Sequence, residues 1–394
     1  MNRLHRRAGR ASAATLSALF ILASLALTGC VADIAYSDVE TEQRSFTRAF
    51  PDVSGQELRL ANLAGSVELV AGGGSEIVVE AVVHARGRNA QETRRLLDEM
   101  AWDEGRDRKG RTEWSLTYPV ERHRRFHYNG SGWTQSSTRY RGEKVKVSSR
   151  KRSGAPTLYA DLRITYPGNG RLSVRNVLGS VVGGDLSGGL IVDTGSGNVE
   201  LGDFSGDLEV DTGSGDVRLG AVRGETLVDT GSGDIRIAEL VGNGKLDTGS
   251  GNIAVRKVAM GRLEADTGSG DIQIEDGSIN DLVADTGSGK IQVLGVDIVE
   301  LEADTGSGDV VLETPMEQAE RISVDTGSGD VRIQASPTAA FDIHLNSGSG
   351  ELLVRYDDAE LRKSGGDVVG ARRGEGGARI SVDTGSGDCF IGPA

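Results

Sequence analysis

Two cysteines among 394 residues leave no room for a disulfide framework, because Cys30 closes an N-terminal leader and only Cys389, on an apolar repeat position, would remain. Aromatic residues supply only 4% of the chain while glycine reaches 57 residues, so any core must be aliphatic and thin, which suits a narrow coil better than a sandwich. The formal charge of −14 becomes more negative once Arg3, Arg6, Arg7 and Arg10 leave with the leader, and such a surface argues against nucleic-acid binding.

Those four arginines precede an apolar run, Ala14 to Leu27, that is too short to span a bilayer comfortably, and together they read as a secretory signal peptide over residues 1–29. The run closes on Leu27-Thr28-Gly29-Cys30, which resembles the lipobox of bacterial lipoproteins. That resemblance implies lipidation at Cys30 and a membrane anchor through the N-terminal lipid. Val31 after the cysteine implies the outer membrane rather than the inner, facing either the periplasm or the exterior. Residues 30–45 read as a polar tether.

Residues 46–167 read as a β-rich domain. Leu58 to Val70 alternates around Gly65-Ser66, Glu76 to His84 supplies a second apolar run, and residues 90–100 read as a helix with Asn89 as its N-cap and Leu96, Leu97 and Met100 on one face. Residues 106–152 differ in kind: fourteen Lys or Arg stand against four acids, and most of the tryptophans and many tyrosines gather there. Thr112 to Tyr118 and Tyr140 to Val147 alternate like strands, with Asn129 to Gly132 between them as the tip of one long hairpin. Arg122, Arg124, Arg125, Arg139, Arg141, Lys144 and Lys146, with Trp114 and Trp133, could bind a polyanion such as an anionic envelope glycan or lipid. The alternative is that the aromatics pack on their own domain and the charges are solvated or face the acidic repeat.

From residue 168 the chain repeats. Asp-Thr-Gly-Ser-Gly begins at Asp193, Asp211, Asp229, Asp247, Asp266, Asp285, Asp304, Asp325 and Asp383, with the variant Asn346-Ser347-Gly348-Ser349-Gly350, and most spacings are 18 to 21 residues. Numbered from the aspartate, apolar residues recur at −3 and −1 (Leu190, Val192) and at +6 and +8 (Val199, Leu201), which is two short strands each with one inward face. The inward parity slips by one residue within Gly-Ser-Gly, so the motif is a corner, with its threonine and serine inward and its aspartate outward. The resulting fold class is all-β: a single-stranded parallel β-solenoid over 168–394, of about 10–12 rungs with an 18–21 residue period, preceded by a small β-rich domain with one helix and a basic hairpin. Leu361 and Ser364 to Val368 read as a degenerate rung, and the last coil, ending at Ala394, as an uncapped edge.

The lipobox, the strand pair around Leu63 to Val67, the strand Ala160 to Pro167 leading into Leu172 to Val181, and the serial rungs resemble the bacterial putative-adhesin family of unknown function. The resemblance implies a repeat-rich β-solenoid of the cell envelope with a non-enzymatic, adhesin-like or scaffolding role. It brings no catalytic residues and no cofactor, and it does not extend to the basic hairpin.

Asp-Thr-Gly-Ser also marks pepsin-like aspartic proteases, which need two such loops converging on one water. Here the copies stand in file, about 4.8 Å apart. A glycan-processing β-helix enzyme would need a constellation that breaks the repeat, and the outward positions at +7 (Glu200, Arg218, Arg236, Ala254) form none. The acids at 0 and +5 flank each corner. The aspartate at 0 could accept backbone N–H bonds from its own turn. Alternatively Asp193, Asp211, Asp216, Asp229, Asp234, Asp266, Asp271, Asp304, Asp309, Asp325, Asp330, Asp383 and Asp388 could hold Ca²⁺ between rungs and make a calcium-stabilised ligand-binding solenoid.

Overall fold

The structure, a computed structural model, describes residues 40–394 apart from 52–55, 108, 131–134, 141–142, 150–154 and 169. The signal peptide, Cys30, Arg141 and Trp133 lie outside the described residues. The strands expected around each Gly-Ser-Gly are present: Gly189–Thr194 leads to Val199–Leu201, and Arg321–Thr326 to Val331–Ala335. They pair in parallel and in register, with Val192 against Val210, Asp193 against Asp211 and Thr194 against Thr212. A third side runs through Phe204, Val222 and Leu240, so each coil is three-sided. Every inward residue therefore lies on its counterpart in the next coil, and Val199, Val217, Ile235, Ile253, Ile272 and Ile291 form a fully buried column. Each such aliphatic contributes roughly 1.5–3 kcal/mol before the entropy of ordering is subtracted.

The solenoid begins earlier than residue 168. Glu57–Asn62 pairs in parallel with Arg171–Asn176, and Val67–Ala71 with Val181–Gly183, so 57–71 is the first coil and the described residues pack as one unit. After that coil the chain makes an excursion that closes the end of the stack. Thr112–Leu116 extends the first side and Thr157–Tyr166 the second, flanked by Ile77–Arg86 and then Glu42–Phe50 in antiparallel pairing. The helix spans Ala90–Asp98, Asn89 caps it by accepting the Glu92 N–H, and Leu96 and Leu97 are buried. Among the described residues no helix is long and apolar enough to cross a membrane.

The single basic hairpin does not form. Thr112–Leu116 pairs with Trp102–Arg106, while Gln135–Tyr140 pairs with Glu143–Ser148. Each strand takes a partner closer in sequence, which closes a shorter loop at lower entropic cost.

The C-terminal end is also rearranged. Glu360–Ser364 and Asp367–Arg373 form an antiparallel hairpin around Gly365 and Gly366, both at positive φ, rather than a degenerate rung. Glu360–Ser364 is exposed throughout and has no face to turn inward. Ala378–Thr384 then inserts between two earlier strands: Asp383 pairs with Asp325 on one side and with Asn346 on the other. The last coil in sequence is thus internal, not an open edge. The end of the stack is the Asn346 coil, whose first-side strand is covered by Asp367–Arg373.

Candidate functional site

The repeated corner is built by its threonine and its second glycine. Thr286 Oγ1 donates to the Gly270 carbonyl of the preceding coil at 2.8 Å and accepts the Gly289 N–H of its own coil at 3.0 Å. Thr248, Thr267 and Thr305 repeat both bonds. A Cβ on Gly289 would lie 1.8 Å from the Gly270 carbonyl oxygen, so no other residue fits between stacked corners. The threonine is inward and the aspartate outward, as expected. The serine is not inward: Ser250, Ser269 and Ser288 are exposed and only Ser196 is buried, because the parity slip falls before the serine.

Capping by the aspartate at 0 is replaced by a ladder at +5. The Asn252 N–H donates to Asp234 Oδ1 at 2.8 Å, Asp271 to Asn252 Oδ1 at 2.9 Å, and Lys290 to Asp271 Oδ1 at 2.8 Å. Aspartate and asparagine alternate freely there because both carry Oδ1. The Asn252 bond is the main reason that the Asp234 carboxyl sits below the usual aspartate range.

The aspartates at 0 stand in one outward file. Among the described residues, Asp211, Asp229, Asp247, Asp266, Asp285, Asp304 and Asp325 take no hydrogen bond or ion pair. Burial, and then the neighbouring carboxylates of the file, push Asp211, Asp266, Asp285 and Asp325 above the usual range. Of the expected calcium ligands, Asp193, Asp211, Asp229, Asp266, Asp304, Asp325 and Asp383 fall in this file, and Asp216, Asp234, Asp271, Asp309, Asp330 and Asp388 in the ladder. Among the described residues no three His, Cys, Asp or Glu side chains converge on one point. The ladder carboxylates are instead taken up by backbone amides of the adjoining coil.

The basic segment sorts into two groups. Arg125 pairs with Lys146 across one strand boundary and Arg139 with Lys144 across another, so these four cations share the outer face of a three-stranded sheet. They form no ion pair among the described residues. The other described arginine candidates are engaged elsewhere: Arg122 pairs with Glu99, and Arg124 with Glu143. Trp114 meets Phe50 edge-on at 5.5 Å and lies under the Arg48 guanidinium at 3.7 Å. Tyr118, Phe126 and Tyr140 are buried, so these aromatics serve the domain's own core.

One polar cluster gave no sequence signal, its members lying at 66, 84 and 161. Asp161 Oδ1 accepts both Ser66 N–H and Ser66 Oγ at 2.8 Å, and Asp161 Oδ2 lies 3.0 Å from His84 Nε2. Burial alone would raise the Asp161 carboxyl, but the bonds from His84 and Ser66 outweigh it and hold it low. His84 stacks on Tyr159 at 4.5 Å. The carboxylate stands between serine and histidine, which is the wrong order for a base to activate the serine.

The fold and its rows of stacked side chains define a three-sided parallel β-solenoid with a non-repeating cap at each end. The family model Toastrack DUF4097 matches residues 135–255 and 227–391, and the chain belongs to that family. Among similar solved structures, a putative adhesin from Parabacteroides distasonis ATCC 8503 is 12% identical, with 89% of this chain and 97% of that one covered and a TM-score of 0.35. A putative adhesin from Bacteroides fragilis NCTC 9343 is 12% identical, with 88% and 97% covered and a TM-score of 0.29. A putative lipid binding protein from Parabacteroides distasonis ATCC 8503 is 13% identical, with 88% and 96% covered and a TM-score of 0.28. No curated protein compared with the chain matches it.

Proposed function

We propose that this is a non-enzymatic cell-envelope protein, anchored at the outer membrane through lipid on Cys30, that presents the solenoid as an adhesive or scaffolding surface. Its contact with anionic envelope material is the face formed by Arg125, Arg139, Lys144 and Lys146, and that face is the observation that carries the reading. Cations on adjacent strands stand about 4.8 Å apart and those two residues apart along a strand about 6.8 Å. That spacing lets several phosphates or carboxylates be met at once, at about 1 kcal/mol per Lys or Arg near an anionic surface. The non-enzymatic part is supported by the order of Ser66, Asp161 and His84 and by the acids at 0 lying in file instead of converging.

The test is sedimentation of the full chain with lipopolysaccharide and with phosphatidylglycerol vesicles, for the parent and for Lys144→Glu/Lys146→Glu. Binding should weaken at least tenfold in the variant and fall steeply with salt; undiminished binding would refute the reading. Separately, Cys30→Ser should lose incorporation of labelled fatty acid.

A further inference from the structure

In a stack of near-identical coils, a specific site belongs where the coils differ, and one stretch differs in three independent ways. The inward column that carries leucine at 190, 208 and 263 carries Thr226 and Gly244 in between. The register shifts at Gly242/Asn243, where Gly261 is the extra residue, and such bulges re-aim the side chains beside them. Leu227, on the outer face of the same coils, is 41% exposed. Over these coils lies an open trough of about 610 Å³, within the size range of small-ligand sites.

Leu208, Thr226 and Gly244 form its floor from beneath, the Leu208 and Thr226 side chains being buried members of the inward column. Glu225, Asn243 and Arg262 line one wall, and Glu209, Leu227 and Lys245 the other. Asn243 Nδ2 donates to Glu225 Oε1 at 2.8 Å, and Lys245 lies 3.1 Å from Glu264. Four carboxylates against three cations line the whole trough, so unlike the basic face it has almost no net charge.

We propose that this trough binds a neutral, hydroxyl-rich glycan segment laid along the solenoid axis. A near-balanced mixture of acceptors and donors matches hydroxyl groups, which both give and take hydrogen bonds, and Leu227 offers an apolar contact for the C–H face of a sugar ring. A polyanion would meet more carboxylates than cations. A peptide has no strand edge to join, since Leu208–Thr212 and its neighbours are paired on both sides. Among the lining residues only Leu227 offers an exposed large apolar side chain, too little to anchor a peptide side chain. A polymer engaging many copies on one surface would gain avidity from individually weak contacts. This site is separate from the anionic-material face.

The experiment is ligand-observed saturation-transfer NMR with calorimetry on the full chain in mild detergent. The probes are the linear tetrasaccharides of β-1,4-linked N-acetylglucosamine, β-1,4-linked glucose and α-1,4-linked glucose, with a mixed-charge heptapeptide for comparison. The variants are Glu225→Ala/Asn243→Ala, with Glu302→Ala, outward and outside the trough, as the control; melting curves confirm that each is folded. At least one tetrasaccharide should bind saturably, and binding should weaken at least tenfold in the double variant. It should hold in Glu302→Ala and in Lys144→Glu/Lys146→Glu, and change little in high salt. Absence of saturable binding by all three sugars overturns the proposal. So does sugar binding indifferent to Glu225→Ala/Asn243→Ala, or a peptide that binds in the trough in place of the sugars.

Discussion

Replacing Asp266, Asp285 and Asp304 together by asparagine should stabilise the protein. These residues lie consecutively in the file, between Asp247 and Asp325, so the change removes four like-charged contacts. At a coil spacing of about 4.8 Å each contact repels by roughly 0.9 kcal/mol in bulk water. Screening at physiological salt cuts that to about 0.5 kcal/mol. The total is about 2 kcal/mol, and side chains swinging apart into solvent reduce it to about 1 kcal/mol. Asparagine is acceptable in the file, since Asn346 donates to Asp383 Oδ1 at 2.7 Å. The assay is the urea midpoint at pH 7, in 1 M salt and at acid pH. Because the folded pKa values of Asp266 and Asp285 are raised, their charge costs stability at neutral pH, and the cost is relieved as pH falls through the folded value towards the ordinary one. The gain should therefore be complete at pH 7, smaller in 1 M salt, and gone below about pH 3.9. Lower stability of the variant at pH 7, or a parent melting temperature that rises with millimolar Ca²⁺ and falls with chelator while the variant's does not, would refute the repulsion argument in favour of cations bridging the file.

The corner yields further expected outcomes. Thr286→Val should cost about 2–3 kcal/mol, because the Gly270 carbonyl and the Gly289 N–H both lose a buried partner, whereas Thr286→Ser should cost less than half of that; equal losses in urea unfolding would show that the hydroxyl does not matter. Gly289→Ala should cost more than about 4 kcal/mol, read as loss of the soluble folded protein, since a Cβ there would overlap the Gly270 carbonyl. Asp234→Ala should lose about 1 kcal/mol at pH 7. Since the Asp234 pKa is lowered on folding, the contribution of its charge is present above the unfolded value and is lost as pH falls through the folded one, so the Asp234→Asn variant should show a shallower acid dependence in the same assay. Burial pushes the Cys389 thiol up to about 12, so thiol reagents at pH 8 should label Cys389 only after unfolding, read on a Cys30→Ser background; rapid labelling of Cys389 in the folded chain would place it at an opened end.

The sequence shows the columns and the corner because apolar alternation on both sides of Gly-Ser-Gly leaves one way to keep the same face inward. It does not show which aspartate caps the turn, since both rows are Asp or Asn and only the stacking of +5 amides on +5 side chains separates them. The first coil is hidden because Leu63-Ala64-Gly65-Ser66 lacks the aspartate and threonine, and Asn62 and Asn176 take over the threonine column with bonds to Ala160 and Gly65. The inserted strand Ala378–Thr384 has the same inward pattern as any other rung, so the sequence carries no sign that it slots between two earlier ones. The basic face depends on which strands pair. Once Lys146 meets Arg125, and Lys144 meets Arg139, four scattered cations become one surface. The trough is half legible: Thr226 and Gly244 stand out as exceptions in the leucine column, but the extra residue at Gly261 and the exposure of Leu227 emerge only from the register.

The central claim is that the identical corners are architecture and that binding lies where the chain departs from them. The most direct measurement compares sedimentation with anionic vesicles for Asp266→Asn/Asp285→Asn/Asp304→Asn and for Arg125→Glu/Arg139→Glu/Lys144→Glu/Lys146→Glu. The account predicts undiminished binding for the first and loss of binding for the second. Loss in the first with retention in the second would contradict it.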